Sequence, residues 1–404
     1  MASKVLVALI IPALLSAFVF VGPLSQEIQR ELISRLALGS HDGEIDCSNI
    51  PMRDLRGVVF VDNVLSIREK GGTFHPPGDY VSESMRHIKM HQMNLVRVPI
   101  YWESYANNSA AFLQELEVVA HSAAENDICV IYDNHHWYTT SYWDIKKLGD
   151  AEGRGFPSFV VENFPLTQGV DEYTSTAEPF WTAFLKNDIT VDGKQIWDLQ
   201  LEFLGKVIGR VDRFDNVIGY EILNEPHLFN ASQYDDLGRY HTYMAKGIRE
   251  ISDKKIFFDR ETTKGFQRLS SLESKIVPQN VSDVVYTPHL YAPPYPGSQA
   301  EDQIKKFKTW SEQWGLEVLV GEWSAASQDE SDAYLKSFRD NGFGWTYYSW
   351  RPIESRGLGV SLYDTTWTPA TDGLVQLTES IKKTFVIDAK VSSTGFPERT
   401  RTPE

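Results

Sequence analysis

Val217-Ile-Gly-Tyr-Glu-Ile-Leu-Asn-Glu-Pro-His227 decides the fold. An apolar, β-rich run of strand length passes without a linker into Asn224, Glu225 and His227, so a buried strand delivers polar groups at its carboxyl end. The design recurs at 318–321, an apolar run that ends in Glu322-Trp323-Ser324. Working outward, similar runs lie at 55–61, 94–100, 128–133, 255–259, 284–288 and 344–350, which makes eight strand candidates. Amphipathic stretches at 82–92, 111–125, 196–211, 237–252, 300–314 and 332–341 separate them. Near-continuous apolar strands alternating with such helices predict a parallel sheet covered by helices. Eight units predict an α/β protein closed as a (β/α)8 TIM barrel. No Gly-x-Gly-x-x-Gly turn follows any strand, which disfavours an open dinucleotide-binding sheet.

The chain has 404 residues and a formal charge of −16, with no basic stripe, so a nucleic-acid partner is not expected. Apolar residues at 42% and charged residues at 23% exclude a disordered or collagen-like chain. Without a fixed-period repeat or low-complexity linker, one catalytic domain is expected over about 47–387. Two cysteines, Cys47 and Cys129, are too few for a disulfide scaffold, and sequence alone leaves their pairing open. Residues 137–193 form a long insert after the third strand, rich in aromatics such as Phe156, Phe180 and Trp181, and an ordered flap over the barrel top is expected. Residues 388–404 read as a polar tail.

At the N-terminus, residues 5–21 are an apolar run preceded by Lys4, the order of a secretory signal. The run also approaches the minimum for a membrane span, so a cleaved signal and an uncleaved anchor within residues 1–25 both stay open. Either places the rest outside the cell, secreted or held at the outer face of the membrane. Asn107, Asn230 and Asn280 each begin an Asn-x-Ser sequon, compatible with export though common by chance.

Catalytic groups of such barrels come from the carboxyl ends of strands. Glu225 and Glu322, after strands four and seven, are placed to face one another across the mouth. Two carboxyls flanking a bond are what glycosidic cleavage requires: one protonates the leaving oxygen, the other attacks the anomeric carbon. A lone Glu is by default a solvated loop residue, but apolar strands leading straight into both argue otherwise.

Six short motifs then resemble glycoside hydrolase family 5, the retaining cellulase and mannanase family. They are Val96-Arg97-Val98-Pro99, Asp133-Asn-His-His-Trp137, Leu223-Asn-Glu-Pro226, His289-Leu-Tyr291, Gly321-Glu-Trp323 and Ser349-Trp350, in the family's order. The resemblance implies that Glu225 is the general acid/base and Glu322 the nucleophile. It implies that Arg97 and Tyr291 favour the Glu322 anion, that Asn224 donates to the sugar 2-hydroxyl, and that His289 orients Tyr291 or Glu225. His135 would contact the glycon sugar, with His136 beside it, and Trp350 would stack on the sugar. Glu225 must hold its proton when substrate binds, so a raised pKa is expected of it. The first strand, Arg56-Gly-Val-Val-Phe60, departs from the family in lacking the Asn often found after its Gly-Val.

The pair His135-His136 also invites a metal reading. Adjacent residues on a strand point to opposite faces, and neither His-Glu-x-x-His nor a cysteine cluster is present, so no metal or other cofactor is expected. The resulting expectation is a monomeric retaining glycosidase on β-linked polysaccharide or oligosaccharide, an endo-β-1,4-glucanase foremost. A β-mannanase or related β-glycosidase is the alternative within the family, and a surface carbohydrate-binding protein without catalysis is the alternative outside it.

Overall fold

The computed structural model describes residues 45–61, 80–136, 139–143, 154–164, 172–260, 272–291, 297–350, 360 and 371–385. The N-terminal apolar run, Trp137 and the tail at 388–404 lie outside them. Eight parallel strands close into the expected (β/α)8 barrel. They are β1 (Arg56–Phe60), β2 (Leu95–Ile100), β3 (Cys129–Asn134), β4 (Val217–Glu221), β5 (Lys255–Phe258), β6 (Val284–Tyr286), β7 (Glu317–Trp323) and β8 (Gly344–Trp350). Each pairs with the next, and β8 returns to β1 through Gly57↔Thr346, which leaves no free edge. His289–Leu290 continues past β6 and pairs with β7 through Glu322↔His289.

The two-residue period of the strands sorts the barrel interior into layers. Leu95, Cys129, Ile131, Phe257, Val285 and Leu319 form an apolar cluster, closed by Met52 and Cys47. Two residues onward on β2, β3, β5 and β6 stand Arg97, Asp133, Asp259 and Thr287, all buried. The interior is therefore dry and apolar below and charged above, toward the carboxyl ends of the strands. Gly219 on β4 is required where it stands: a Cβ there would lie 2.0 Å from the Lys255 carbonyl oxygen and 2.7 Å from the Phe257 ring. Cys47 and Cys129 are joined in a disulfide across 82 positions of sequence, with Cα atoms 5.8 Å apart. The link ties the segment leading into β1 to the first residue of β3.

The predicted helices appear as α1 (Tyr80–Met90), α3 (Ser109–Ala124), α6 (Ile196–Val211), α7 (Gln233–Arg249), α8 (Gly297–Trp314) and α9 (Gln328–Asn341). Four more were not read from the sequence: α2 (Trp102–Asn107), α4 (Ser158–Val161), α5 (Glu172–Lys186) and α10 (Asp372–Thr384). Helices α4 and α5 belong to the long insert. Its aromatics are mostly packed inward: Trp143, Phe156, Phe180, Trp181 and Phe184 are all buried. Trp181 donates its indole N–H to Thr139 Oγ1 at 2.9 Å and rests against His136 and His227, with centroids 5.0 and 5.2 Å away. The described part of the insert thus extends the outer hydrophobic core over the ends of β3 and β4. No helix among the described residues is long and apolar enough to cross a membrane.

Candidate active site

The ends of β3 and β4 are stitched together beyond their ladder. The Asn134 side chain donates to the Ile222 carbonyl at 2.8 Å, and the Asn224 N–H donates to the Asn134 carbonyl at 2.8 Å. This fixes where β4 releases its chain. Glu225 follows with φ of +41°, a left-handed conformation that costs a non-glycine residue free energy unless its surroundings hold it. They do: its N–H donates to Asp259 Oδ2 at 3.0 Å, and its carbonyl accepts from His136 Nε2 at 3.2 Å. Its carboxylate accepts from His289 Nδ1 at 2.7 Å, and its side chain stays 27% exposed, open to the mouth.

Glu322 lies opposite. Being adjacent on β7, Glu322 and Trp323 face opposite sides, so Trp323 enters the outer core against Tyr334 and Phe338 while Glu322 turns inward. Its Oε1 accepts from Arg97 Nη1 at 2.8 Å and its Oε2 accepts from the Tyr291 hydroxyl. A Glu225 oxygen and a Glu322 oxygen lie within 4.8 Å of each other, with His289 Nδ1 between them.

Arg97 is the hub. Fully buried, it donates twice to Glu221 (2.7 and 3.0 Å), once to Glu322 and once to Asn224 Oδ1 (2.9 Å), and its Nη2 sits 3.1 Å from Asp133. A planar fork with five N–H donors serves this set, where a single ammonium would not. Burial works against the charge, but Asp133, Glu221 and Glu322 outweigh it and hold the guanidinium pKa well above its usual value. For Asp133 burial pushes upward, yet Arg97 and His135 bring the carboxyl below the ordinary range. At Glu221 burial prevails and the pKa is raised despite Arg97.

His289 sits among three carboxylates: 2.7 Å from Glu225, 3.3 Å from Asp259 and 3.7 Å from Glu322. Burial disfavours its charge, but Asp259, Glu322 and Glu225 together push its pKa up to about 10. Burial, with Glu221 and Glu225, drives Asp259 upward as well. The proton of this pair belongs on His289, because the Asp259 oxygens already accept N–H groups from Glu225 and, at 2.6 Å, Arg260.

The two adjacent histidines do different work. Strand β3 ends at Asn134, so both lie just past it. His135 Nδ1 meets Asp133 at 2.6 Å, and its ring stands edge-on to Tyr101. His136 takes the Thr139 N–H on Nδ1, and burial, with His227 and His135 beside it, holds its pKa well below the usual value, so it is neutral with its proton on Nε2. Among the described residues two triads, Glu221–Asp259–His289 and Glu225–His289–Glu322, each bring one donor atom per residue within 4.8 Å. Arg97 and the His289 cation already supply positive charge there, so the donor set is that of an ion-pair network.

Arg97, His135, His136, Asn224, Glu225, His289, Tyr291 and Glu322 therefore converge on one place. Trp350 stands at the end of β8 beside them but is completely buried, bridged to Val360, and presents no open ring face for a sugar to stack on. Asp133, Glu221 and Asp259 complete the cluster and were not singled out from the sequence. Their signal was the one used for Glu225 and Glu322: an acidic residue inside or at the end of an apolar strand.

The cellulase (glycosyl hydrolase family 5) model matches residues 73–354, most of the barrel. The chain belongs to glycosyl hydrolase family 5. No curated protein matches it. Among solved structures, this family 5 chain is similar to endo-glycoceramidase II from Rhodococcus sp. in its ganglioside GM3 complex, at TM-score 0.62 and 18% identity over 81% of this chain and 80% of that one. It is similar to an endogalactoceramidase, at TM-score 0.57 and 18% identity over 81% and 74%. The endoglucanase Cel5A of Pseudomonas stutzeri is a third, at TM-score 0.56 and 16% identity over 81% and 94%. At these identities the structural likeness speaks for the barrel, and the family assignment makes the chain a glycosidase.

Proposed function

We propose that the protein is an exported retaining glycosidase acting on β-linked polysaccharide, foremost an endo-β-1,4-glucanase. The observation that carries the reading is the approach of Glu225 and Glu322 to within 4.8 Å, oxygen to oxygen. Retaining enzymes keep their carboxyl groups about 5–5.5 Å apart, whereas inverting enzymes leave room for a water between them. Glu322 attacks the anomeric carbon; the bond to the leaving oxygen breaks, and that oxygen takes the proton of Glu225. Water then displaces Glu322 from the sugar and gives its proton to Glu225, which restores both groups.

The surroundings support these roles. Arg97 and Tyr291 occupy both oxygens of Glu322 and aim it as an anion. Arg97 also holds Asn224 Oδ1, leaving the amide Nδ2 as the donor for a sugar 2-hydroxyl. The partial exposure of Glu225 gives the departing sugar a route to its proton.

Glu225→Gln and Glu322→Gln test the mechanism: each is expected to fold normally and lose about 10³-fold or more in turnover. Full activity in either variant overturns it. Because the similar structures include an endo-glycoceramidase and an endogalactoceramidase as well as an endoglucanase, the substrate panel pairs cellulose-derived oligosaccharides and mannan with a glycosphingolipid. Turnover of the lipid alone would replace glucan as the substrate while leaving the two carboxyl groups in their roles.

A further inference from the structure

Asp259, at the end of β5, makes no contact with Glu322 in the described network, yet it grips the other carboxyl residue in two ways. Its Oδ2 accepts the backbone N–H of Glu225 at 3.0 Å and lies 3.3 Å from His289 Nε2. His289 in turn donates from Nδ1 to Glu225 Oε1 at 2.7 Å. Its other oxygen is pinned by the Arg260 N–H at 2.6 Å, and Arg260 is itself held 3.4 Å from Glu273, so the carboxylate has no freedom to turn. It is completely buried.

We infer that Asp259 is a positioning residue for the acid/base. It fixes the strained backbone of Glu225 from one side and, through His289, its carboxylate from the other. Three observations converge. A left-handed Glu225 persists only where its surroundings hold it, and Asp259 holds its N–H. The Asp259 carboxylate lies 3.3 Å from His289 Nε2, an ion-pair contact without a hydrogen bond's geometry, and adds a second anion that favours the doubly protonated imidazole. Burying a carboxylate is costly, and here the cost is offset by two N–H groups and an imidazolium. Among the described residues, the groups facing this pair include Asp133, Glu221, Glu225, Glu322, Arg97 and Tyr291, and Arg97 is the cation of that set.

This inference rests on Glu225 being the proton donor, and the test separates the two. Proton donation matters when the leaving group is a sugar hydroxyl and hardly at all when it is 2,4-dinitrophenolate, which departs unaided. Asp259→Asn is expected to lower kcat/KM on cellotetraose about 10- to 100-fold and to leave kcat/KM on 2,4-dinitrophenyl β-cellobioside within about threefold. An equal loss on both substrates means general damage and overturns the inference, as does no loss on either. A second readout needs no variant and no substrate: nitrogen-15 histidine spectra of the full chain at pH 8 are expected to show His289 doubly protonated. A neutral His289 at that pH overturns the inference even if Asp259→Asn does not fold. If the wild type turns over neither substrate, the glucanase reading fails on its own, and the histidine spectrum still tests the charge state that Asp259 is inferred to hold.

Discussion

Replacing Arg97 by Met removes the one guanidinium at the centre of the charged layer while keeping an unbranched apolar side chain in its place. Four hydrogen bonds and an ion pair disappear together. Asp133 keeps His135 as a partner, but among the described residues Glu221 keeps the Thr287 hydroxyl at 3.3 Å as its hydrogen bond, with the His289 charge within 4.8 Å. Breaking a buried pair from one side costs about 3–5 kcal/mol, because the partner is left charged and dry. That loss must depend on pH. Without Arg97, burial raises the folded-state pKa of Glu221 further, while the unfolded chain titrates near an ordinary glutamate value of about 4.3. Between those two values the folded variant binds more protons than the unfolded chain, so its stability falls as pH rises through the window. Each pH unit inside it is worth about 1.4 kcal/mol for one carboxyl. Urea unfolding of wild type and Arg97→Met, followed by tryptophan fluorescence, should give a gap of about 3–5 kcal/mol at pH 7.5 and a clearly smaller one at pH 5. A gap under about 1 kcal/mol at pH 7.5, or one that does not change with pH, would refute the picture of a cation sustaining buried anions. Activity cannot decide this point, since Arg97 also touches Glu322.

Other outcomes follow from single contacts. Tyr291→Phe deletes the hydroxyl on Glu322 Oε2; a hydrogen bond to a charged group is worth about 1.5–3 kcal/mol, so if that bond aims the nucleophile kcat/KM should drop roughly 10- to 150-fold in steady-state assays. Replacing Cys47 and Cys129 together by Ser opens a loop of 82 positions and should cost about 4.5 kcal/mol of stability in the chain-entropy account, read by urea unfolding. Turnover per folded molecule should not change, because that link lies at the opposite end of β3 from His135. Gly219→Ala drives a methyl into the Lys255 carbonyl and the Phe257 ring; loss of soluble protein or a stability drop of more than about 2 kcal/mol is expected, and an unaffected melting temperature would contradict the packing.

The barrel was legible because its strands are buried on both faces and therefore read as apolar runs. All eight fall within a few residues of their expected positions. Helix α10 was legible too, with Leu374, Leu377 and Ile381 on one face, but it lies past the last strand and was not read. Helix α5 was hidden for a different reason: Pro179 stands inside it, and a proline in a run of aromatics reads as a loop. At the site, motif order picked out the groups at the strand ends. The acids one layer down were harder. Glu221 sits in the middle of the very stretch that reveals the fold, and only the register across β3, β4 and β2 shows that it meets Arg97. Trp350 marks the limit of the same approach, since a strand-end position alone does not tell an open aromatic platform from a sealed one.

The aromatic packing of the insert reaches further than its place in the chain implies. Trp181 leans on His136, and His136 carries the carbonyl of Glu225. Anyone grafting a different specificity onto this scaffold by exchanging residues 139–193 would also be re-seating the proton donor. A graft that retains Thr139, Phe156 and Trp181 would change the outer wall and leave the hinge on which the acid hangs; one that discards them would lose rate before any new substrate had been tried.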